Sequence, residues 1–155
     1  MLAADQISVR FAKPQDMPAV LELIKELAAY ENAASEVKNS VAQLIDDGFG
    51  EHPSFECVVA ASNTEVIGFA LFFTSYSTWK GRCLYLEDLC VNENYRRKGI
   101  GKKLFDFVLQ LAKDRKMKRF SWQVLDWNEP AISFYKKYNS VLDPEWINGK
   151  IILED

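Results

Sequence analysis

The sequence predicts an α/β domain with a central mixed, mostly antiparallel sheet flanked by helices, and three observations carry that reading. Strand-like and helix-like segments follow one another in the order β-α-α-β-β-β-α-β-α-(β). Three of the strands are consecutive and joined by short turns, which makes them antiparallel neighbours. The last of the three is followed by a long helix and another strand, a crossover that brings two strands parallel.

The elements follow in order. Residues Ile7 to Phe11 alternate as a short strand. In "AKPQDMPAVLELIKELAAYE", Asp16 stands in the cap position of a helix whose apolar stripe is Met17, Val20, Leu21, Ile24, Leu27 and Ala28. In "NSVAQLIDDGFG", Ser40 and Gln43 are spaced as a capping box and Gly48 is the expected terminator. The strands "ECVVAA", "TEVIGFALFFTSYS" and "RCLYLEDLCV" are separated by a Ser62-Asn63 turn and by "TWKG". A long helix runs from about Gly99 to near Lys116, with Ile100, Leu104, Phe105, Val108, Leu109, Leu111 and Ala112 at helical spacing. "RFSWQVL" is the crossover's second strand, and "NEPAISFYKKY" is a helix capped by Asn128 with Glu129 and Pro130 in its first turn. Asn139 follows where a left-handed residue is wanted. The tail "VLDPEWINGKIILED" offers a short strand, a turn at Asn148-Gly149 and a last edge strand.

At 155 residues and 48% hydrophobic, the chain has material for one core, and residues 1–155 read as a single domain. The net charge of -3 argues against a general nucleic-acid surface. "MLAADQISVRF" lacks the basic-then-apolar pattern of a leader, and no apolar run approaches the ~18 residues of a membrane span. The expected address is the cytoplasm. Cys57, Cys83 and Cys90 make no metal-ligand spacing with the single histidine, His52, so neither a disulfide framework nor a metal site is expected.

Chemistry enters at "NYRRKGIGKKL". Gly99 and Gly101 lie where a strand hands over to a helix, among Arg96, Arg97, Lys98, Lys102 and Lys103. A helix start offers unpaired N–H groups and the positive end of a dipole, and glycine lets an anion reach the backbone. Glycines at helix starts are common, however, and basic turns are often only solvated. The familiar phosphate loops do not apply, because a third glycine would have to stand at Leu104 and the Walker spacing fails at Lys103.

Arg96, Gly99 and Gly101 match the pattern Arg or Gln, two residues, Gly, one residue, Gly or Ala, and here the chain resembles the GCN5-related N-acetyltransferases. Within that superfamily it is most similar to the diamine acetyltransferases, the spermidine/spermine and thialysine types. The likeness runs through "LIKELAAYE", "DDGFGEHP", "YSTWKGR", "LYLEDL", "YRRKGIG" and "VLDWNEPAISFY" to the region of Trp146, with "YSTWKGR" and "VLDWN" nearer the thialysine type.

The resemblance implies acetyl-CoA as co-substrate, with no metal, in a splayed gap beside Leu89, Cys90 and Val91. Its pyrophosphate would rest on the N–H groups of Arg97, Lys98, Gly99, Ile100, Gly101 and Lys102, with Asn128, Ala131, Tyr135 and Lys137 closing the other side. Tyr135 is the implied acid for the departing thiolate, and Glu87 the group that takes the ammonium proton through water. Ser121 stands where the polyamine type has a histidine, and His52 lies in a loop that is not the base. Tyr30, Glu31, Ser77, Trp79, Glu87 and Ser121 are the implied acceptor-channel residues. The implied acceptor is a small diamine or lysine-like amino acid, with spermidine or spermine, and then a peptide or protein amine, as alternatives. The implied assembly is a homodimer. Read from the residues alone, Tyr135 also suits a helix face packed on a sheet, Glu31 a solvated helix end, and Trp79 a hairpin anchor.

Overall fold

In a computed structural model, which describes residues 6–154, the strands pair in chain order to form a five-stranded sheet, β1-β2-β3-β4-β5. These strands are β1 (Ser8–Phe11), β2 (Glu56–Ala61), β3 (Val66–Ser77), β4 (Gly81–Val91) and β5 (Phe120–Trp122). The first four run antiparallel and β5 lies parallel to β4, as meander and crossover require. The helices are α1 (Met17–Tyr30), α2 (Val41–Phe49), α3 (Ile100–Asp114) and α4 (Glu129–Lys136). The chain divides into two compact units, Met1–Trp122 and Gln123–Asp155. The first holds the whole sheet, and the second holds α4 and the tail.

Strand period sorts the first unit into two layers of core. Cys57, Val59, Ala61, Phe69, Leu71 and Cys90 pack with Met17, Val20, Leu21 and Leu23 of α1 and Leu44 of α2. The alternate residues of the sheet back onto α3, whose Ile100, Leu104, Phe105, Val108 and Ala112 are buried. Both faces are covered, which is why β2 reads as an unbroken apolar run. Gly68 lets α3 approach: a Cβ there would meet the Cys90 carbonyl oxygen at 3.0 Å and Leu104 Cδ1 at 3.2 Å.

Several expectations need correction. Asp16 does not cap α1. It takes two bonds from the Arg10 guanidinium, at 2.8 and 3.0 Å, and one from the Lys13 N–H at 2.7 Å, all of which hold its carboxyl below the ordinary range. Ser40 does cap α2, accepting the Gln43 N–H at 3.1 Å, but the Gln43 side chain turns to Asp47 and the Ser40 N–H goes to Asn39. Gly48 does not end α2; it lies inside, where a Cβ would come within 2.4 Å of the Phe55 ring. Among the described residues the left-handed non-glycine positions are Asn32, Arg97 and Lys116, not Asn139. No strand forms in 139–154, contrary to the expected short strand and last edge strand of the tail. Of the leader reading, residues 1–5 lie outside the described residues, as does Asp155 of the tail.

Candidate functional site

β4 changes character at its middle. Its pairing with β5 is confined to Leu84 opposite Phe120, Tyr85 opposite Ser121 and Leu86 opposite Trp122. Past Leu86 it is paired on the β3 side alone, from Asp88 opposite Leu71 to Val91 opposite Gly68. The register steps between these halves, since Leu86 faces Phe72 and Asp88 faces Leu71. Glu87 is therefore the extra residue of a β-bulge. In a regular strand Glu87 and Asp88 would lie on opposite faces, and the bulge removes that condition. Leu89, Cys90 and Val91 follow with their other edge unpaired by any strand among the described residues. Cys90 turns its thiol to the Leu23 carbonyl of α1 at 3.5 Å, while Val91 lies toward the start of α3.

The connection from β4 to α3 is folded tightly. Asn92 accepts the Asn94 N–H at 3.0 Å and opens a 3-10 turn, Glu93–Tyr95. Arg97 (φ 64°) and Gly99 (φ 78°) are left-handed, and Gly99 is the N-cap of α3. The first intrahelical bond runs from the Lys103 N–H to the Gly99 carbonyl at 3.1 Å, so the N–H groups of Ile100, Gly101 and Lys102 have no acceptor within the helix. The side chains of Arg96, Arg97 and Lys98 are exposed. Gly101 is the informative glycine. Its φ is ordinary, and a Cβ there would touch only Val91 Cγ2, at 3.8 Å. Neither the backbone nor the packing of the chain calls for glycine there, whereas a phosphate resting on the first turn of a helix does. These residues therefore fit the anionic part of CoA.

A group of carboxylates sits at the bulge. Asp88 is half-buried, and loss of hydration, together with the charges of Glu87 and Glu31, pushes its pKa from 3.8 up to about 6. Burial also raises Glu31, the C-cap of α1, and Tyr85 rises from burial and from the same two acids of β4. Glu87 itself is exposed. The sequence pointed to Glu87 and Glu31 but not to Asp88, whose carboxyl pKa burial and neighbouring charge displace to about 6. Two adjacent acids inside a buried strand were the available signal, and the bulge that separates their roles was not legible.

The remaining acceptor candidates are spread along the unit. Tyr30 has the Arg96 guanidinium 5.5 Å from its ring centroid. Ser121 occupies the middle of β5. Ser77 accepts the Lys80 N–H at 3.2 Å in the β3–β4 turn, and Trp79 at its tip is 89% exposed. Glu87 lies about six strand steps beyond Gly81, which pairs with Ser77, roughly 20 Å at the usual rise. Ser77 and Trp79 thus stand well away from the carboxylates of their own chain. In the second unit, Asn128 caps α4 by accepting the Ala131 N–H at 3.4 Å. Tyr135, 7% exposed, stacks edge-on with Phe134 at 5.2 Å, and Lys137 is the exposed C-cap. Among the described residues no helix is long and apolar enough to cross a membrane, and no group of three metal-ligating side chains is found.

Comparison with known proteins agrees with this geometry. The model of the acetyltransferase (GNAT) family matches residues 19–139. A thialysine N-epsilon-acetyltransferase of Bos taurus is 42% identical over 138 residues, covering 84% of this chain and 81% of the relative. A human spermidine/spermine N(1)-acetyltransferase-like protein 1 is 36% identical over 84% of this chain, which spans 20% of that longer protein. Among solved structures, an aminoglycoside acetyltransferase from an uncultured soil metagenomic sample superposes with a TM-score of 0.79 at 18% identity, covering 97% of this chain and 98% of that one, a likeness of fold. With the sheet opened beside β4, a glycine-bearing start to α3 and the family model matched across all of it, the chain belongs to the acetyltransferase (GNAT) family and is an acetyl-CoA-dependent acetyltransferase.

Proposed function

We propose that the chain transfers acetyl to the terminal primary amine of a small diamine or lysine-like amino acid, of the thialysine, lysine or ornithine kind. The observation that carries this reading is the carboxylate group at the bulge, where half-buried Asp88 lies in the field of Glu87 and Glu31. A half-buried acid flanked by two like charges is relieved by a cation, and a small acceptor with a second ammonium supplies one close to the reacting nitrogen. The 42% identity to a thialysine acetyltransferase supports the same class.

When bound, acetyl-CoA supplies the acetyl group as a thioester. The N–H groups from Arg97 to Lys102 hold its pyrophosphate, and the unpaired edge at Leu89, Cys90 and Val91 orients the arm that leads to the sulfur. Asn128, Ala131 and Lys137 serve the cofactor from α4. Glu87, exposed beside Asp88, takes the proton of the acceptor ammonium through water, leaving a neutral amine to attack. Tyr135 donates its hydroxyl proton to the sulfur as the C–S bond breaks. Tyr135→Phe should lower turnover by ~10- to 1000-fold with the fold retained; an unchanged rate, with chemistry limiting, would remove the hydroxyl from the mechanism.

We further propose one catalytic domain per chain, acting in the cytoplasm as a homodimer. Val141, Ile147, Ile151 and Leu153 are each exposed in a tail without a strand of its own, a segment suited to pairing with a second copy. Light scattering that reports only 17.8 kDa would reject the dimer. The substrate is tested by kcat/KM for thialysine, lysine, ornithine, spermidine and a peptide panel with acetyl-CoA. Thialysine-like acceptors should lead. A more than tenfold preference for spermidine would replace this reading with the polyamine one, and reaction with peptides alone would defeat both.

A further inference from the structure

The guanidinium of Arg96, first residue of the cofactor motif, is engaged inside the chain. Its Nε donates to the Val91 carbonyl at 3.1 Å, its Nη2 to Glu26 Oε1 at 3.5 Å, and it lies 5.5 Å from the centroid of the Tyr30 ring. Glu26 Oε1 also accepts the Glu93 N–H at 2.8 Å, and Oε2 faces the Asn92 amide nitrogen at 3.5 Å. One carboxylate of α1 thus gathers three donors from residues 92–96. That segment leads directly into left-handed Arg97 and Gly99 and the first turn of α3. A non-glycine residue in the left-handed region is held there by its surroundings, so the loop needs a clamp from outside itself.

We propose that Glu26 is a positioning residue for acetyl-CoA. Acting through Arg96 and the Glu93 amide, it holds the β4–α3 connection in the shape that presents the N–H groups of residues 97–102 to the pyrophosphate. The inference rests on the cofactor reading above. The ion pair alone, at 3.5 Å with both side chains partly exposed, contributes little to stability. The short bond from the Glu93 N–H and the Arg96–Tyr30 contact complete the clamp. Loss of Glu26 should therefore register in binding more than in folding.

The test is calorimetric titration of CoA into the wild type, Glu26→Gln, Arg96→Gln and the double variant, with melting temperatures and steady-state kinetics on each. Glu26→Gln should weaken CoA on the order of tenfold and raise KM for acetyl-CoA, the effect of a lost charge-assisted clamp. Its kcat at saturating acetyl-CoA and its melting temperature should hardly move. The double variant should lose less affinity than the sum of the two single losses, because Glu26 acts in part through Arg96. An unchanged CoA affinity for Glu26→Gln, a lowered melting temperature with unchanged affinity, or additive losses in the double variant would each overturn the inference while leaving the cofactor reading standing. A wild type that binds no CoA would overturn both.

Discussion

The two halves of β4 are one strand doing opposite things. From Gly81 to Leu86 it is paired with β3, and from Leu84 to Leu86 with β5 as well, and Cys83, Leu84 and Leu86 are buried. From Glu87 to Val91 it is bulged and paired on one side, and it carries two acids and leads into a loop with exposed cationic side chains. The first half follows ordinary economy, burying apolar side chains and joining its neighbours on both sides where β5 reaches it. The second leaves backbone edge and charge exposed to a ligand. The contrast implies that stability and activity are separable along a strand of eleven residues.

The contrast is sharpest in the core. Leu84→Ala leaves a cavity at a fully buried site and should cost about 2–5 kcal/mol of stability, read by chemical denaturation. Activity per folded molecule should be nearly unchanged; a parallel fall in both would erase the distinction between the halves. In the second half the effect should invert. Glu87→Gln should lower kcat/KM by roughly 100-fold with the denaturation midpoint intact, because the side chain is exposed and its proposed role is proton transfer. Normal kinetics for that variant would return Glu87 to the surface of an ordinary strand.

Asp88 gives a smaller effect with a definite sign. Its pKa in the folded chain, about 6, exceeds the ordinary 3.8, so the folded state binds the proton more tightly. The cost of ionising it is absent below about pH 4, grows between about 4 and 6, and is complete above. Asp88→Asn removes the charge and should stabilise the protein at pH 7.5 by an amount on the order of 2 kcal/mol, an advantage that fades as pH falls through 6. A difference between the proteins that is flat from pH 4 to 8 would show that Asp88 is not held in the field of Glu87 and Glu31.

The legible part of the fold was the part governed by local rules. Apolar period, the turns at Ser62-Asn63 and "TWKG", and the Asn128 cap fixed element identity and order, and the glycines of the "RRKGIG" loop pointed to its chemistry. What escaped depended on partners distant in sequence. The bulge at Glu87 arises from register against β3, and Asp16 left its capping position for Arg10. Gly48 answers to Phe55 rather than to the end of a helix. The tail residues Ile151 and Leu153 have strand-like composition, yet residues 139–154 form no strand, because composition does not supply a pairing partner.

The central claim is that the opening beside the second half of β4, with the start of α3, receives acetyl-CoA. Gly101 tests it most directly, because the chain has room for a side chain there and the proposed ligand does not. Titrating CoA into wild type and Gly101→Leu by calorimetry, with thermal melts in parallel, separates the two demands. The account predicts a melting temperature equal to or above the wild type's, since leucine favours a helix over glycine by several tenths of a kcal/mol. It also predicts CoA affinity reduced at least tenfold. Unchanged affinity in a folded Gly101→Leu protein would contradict it.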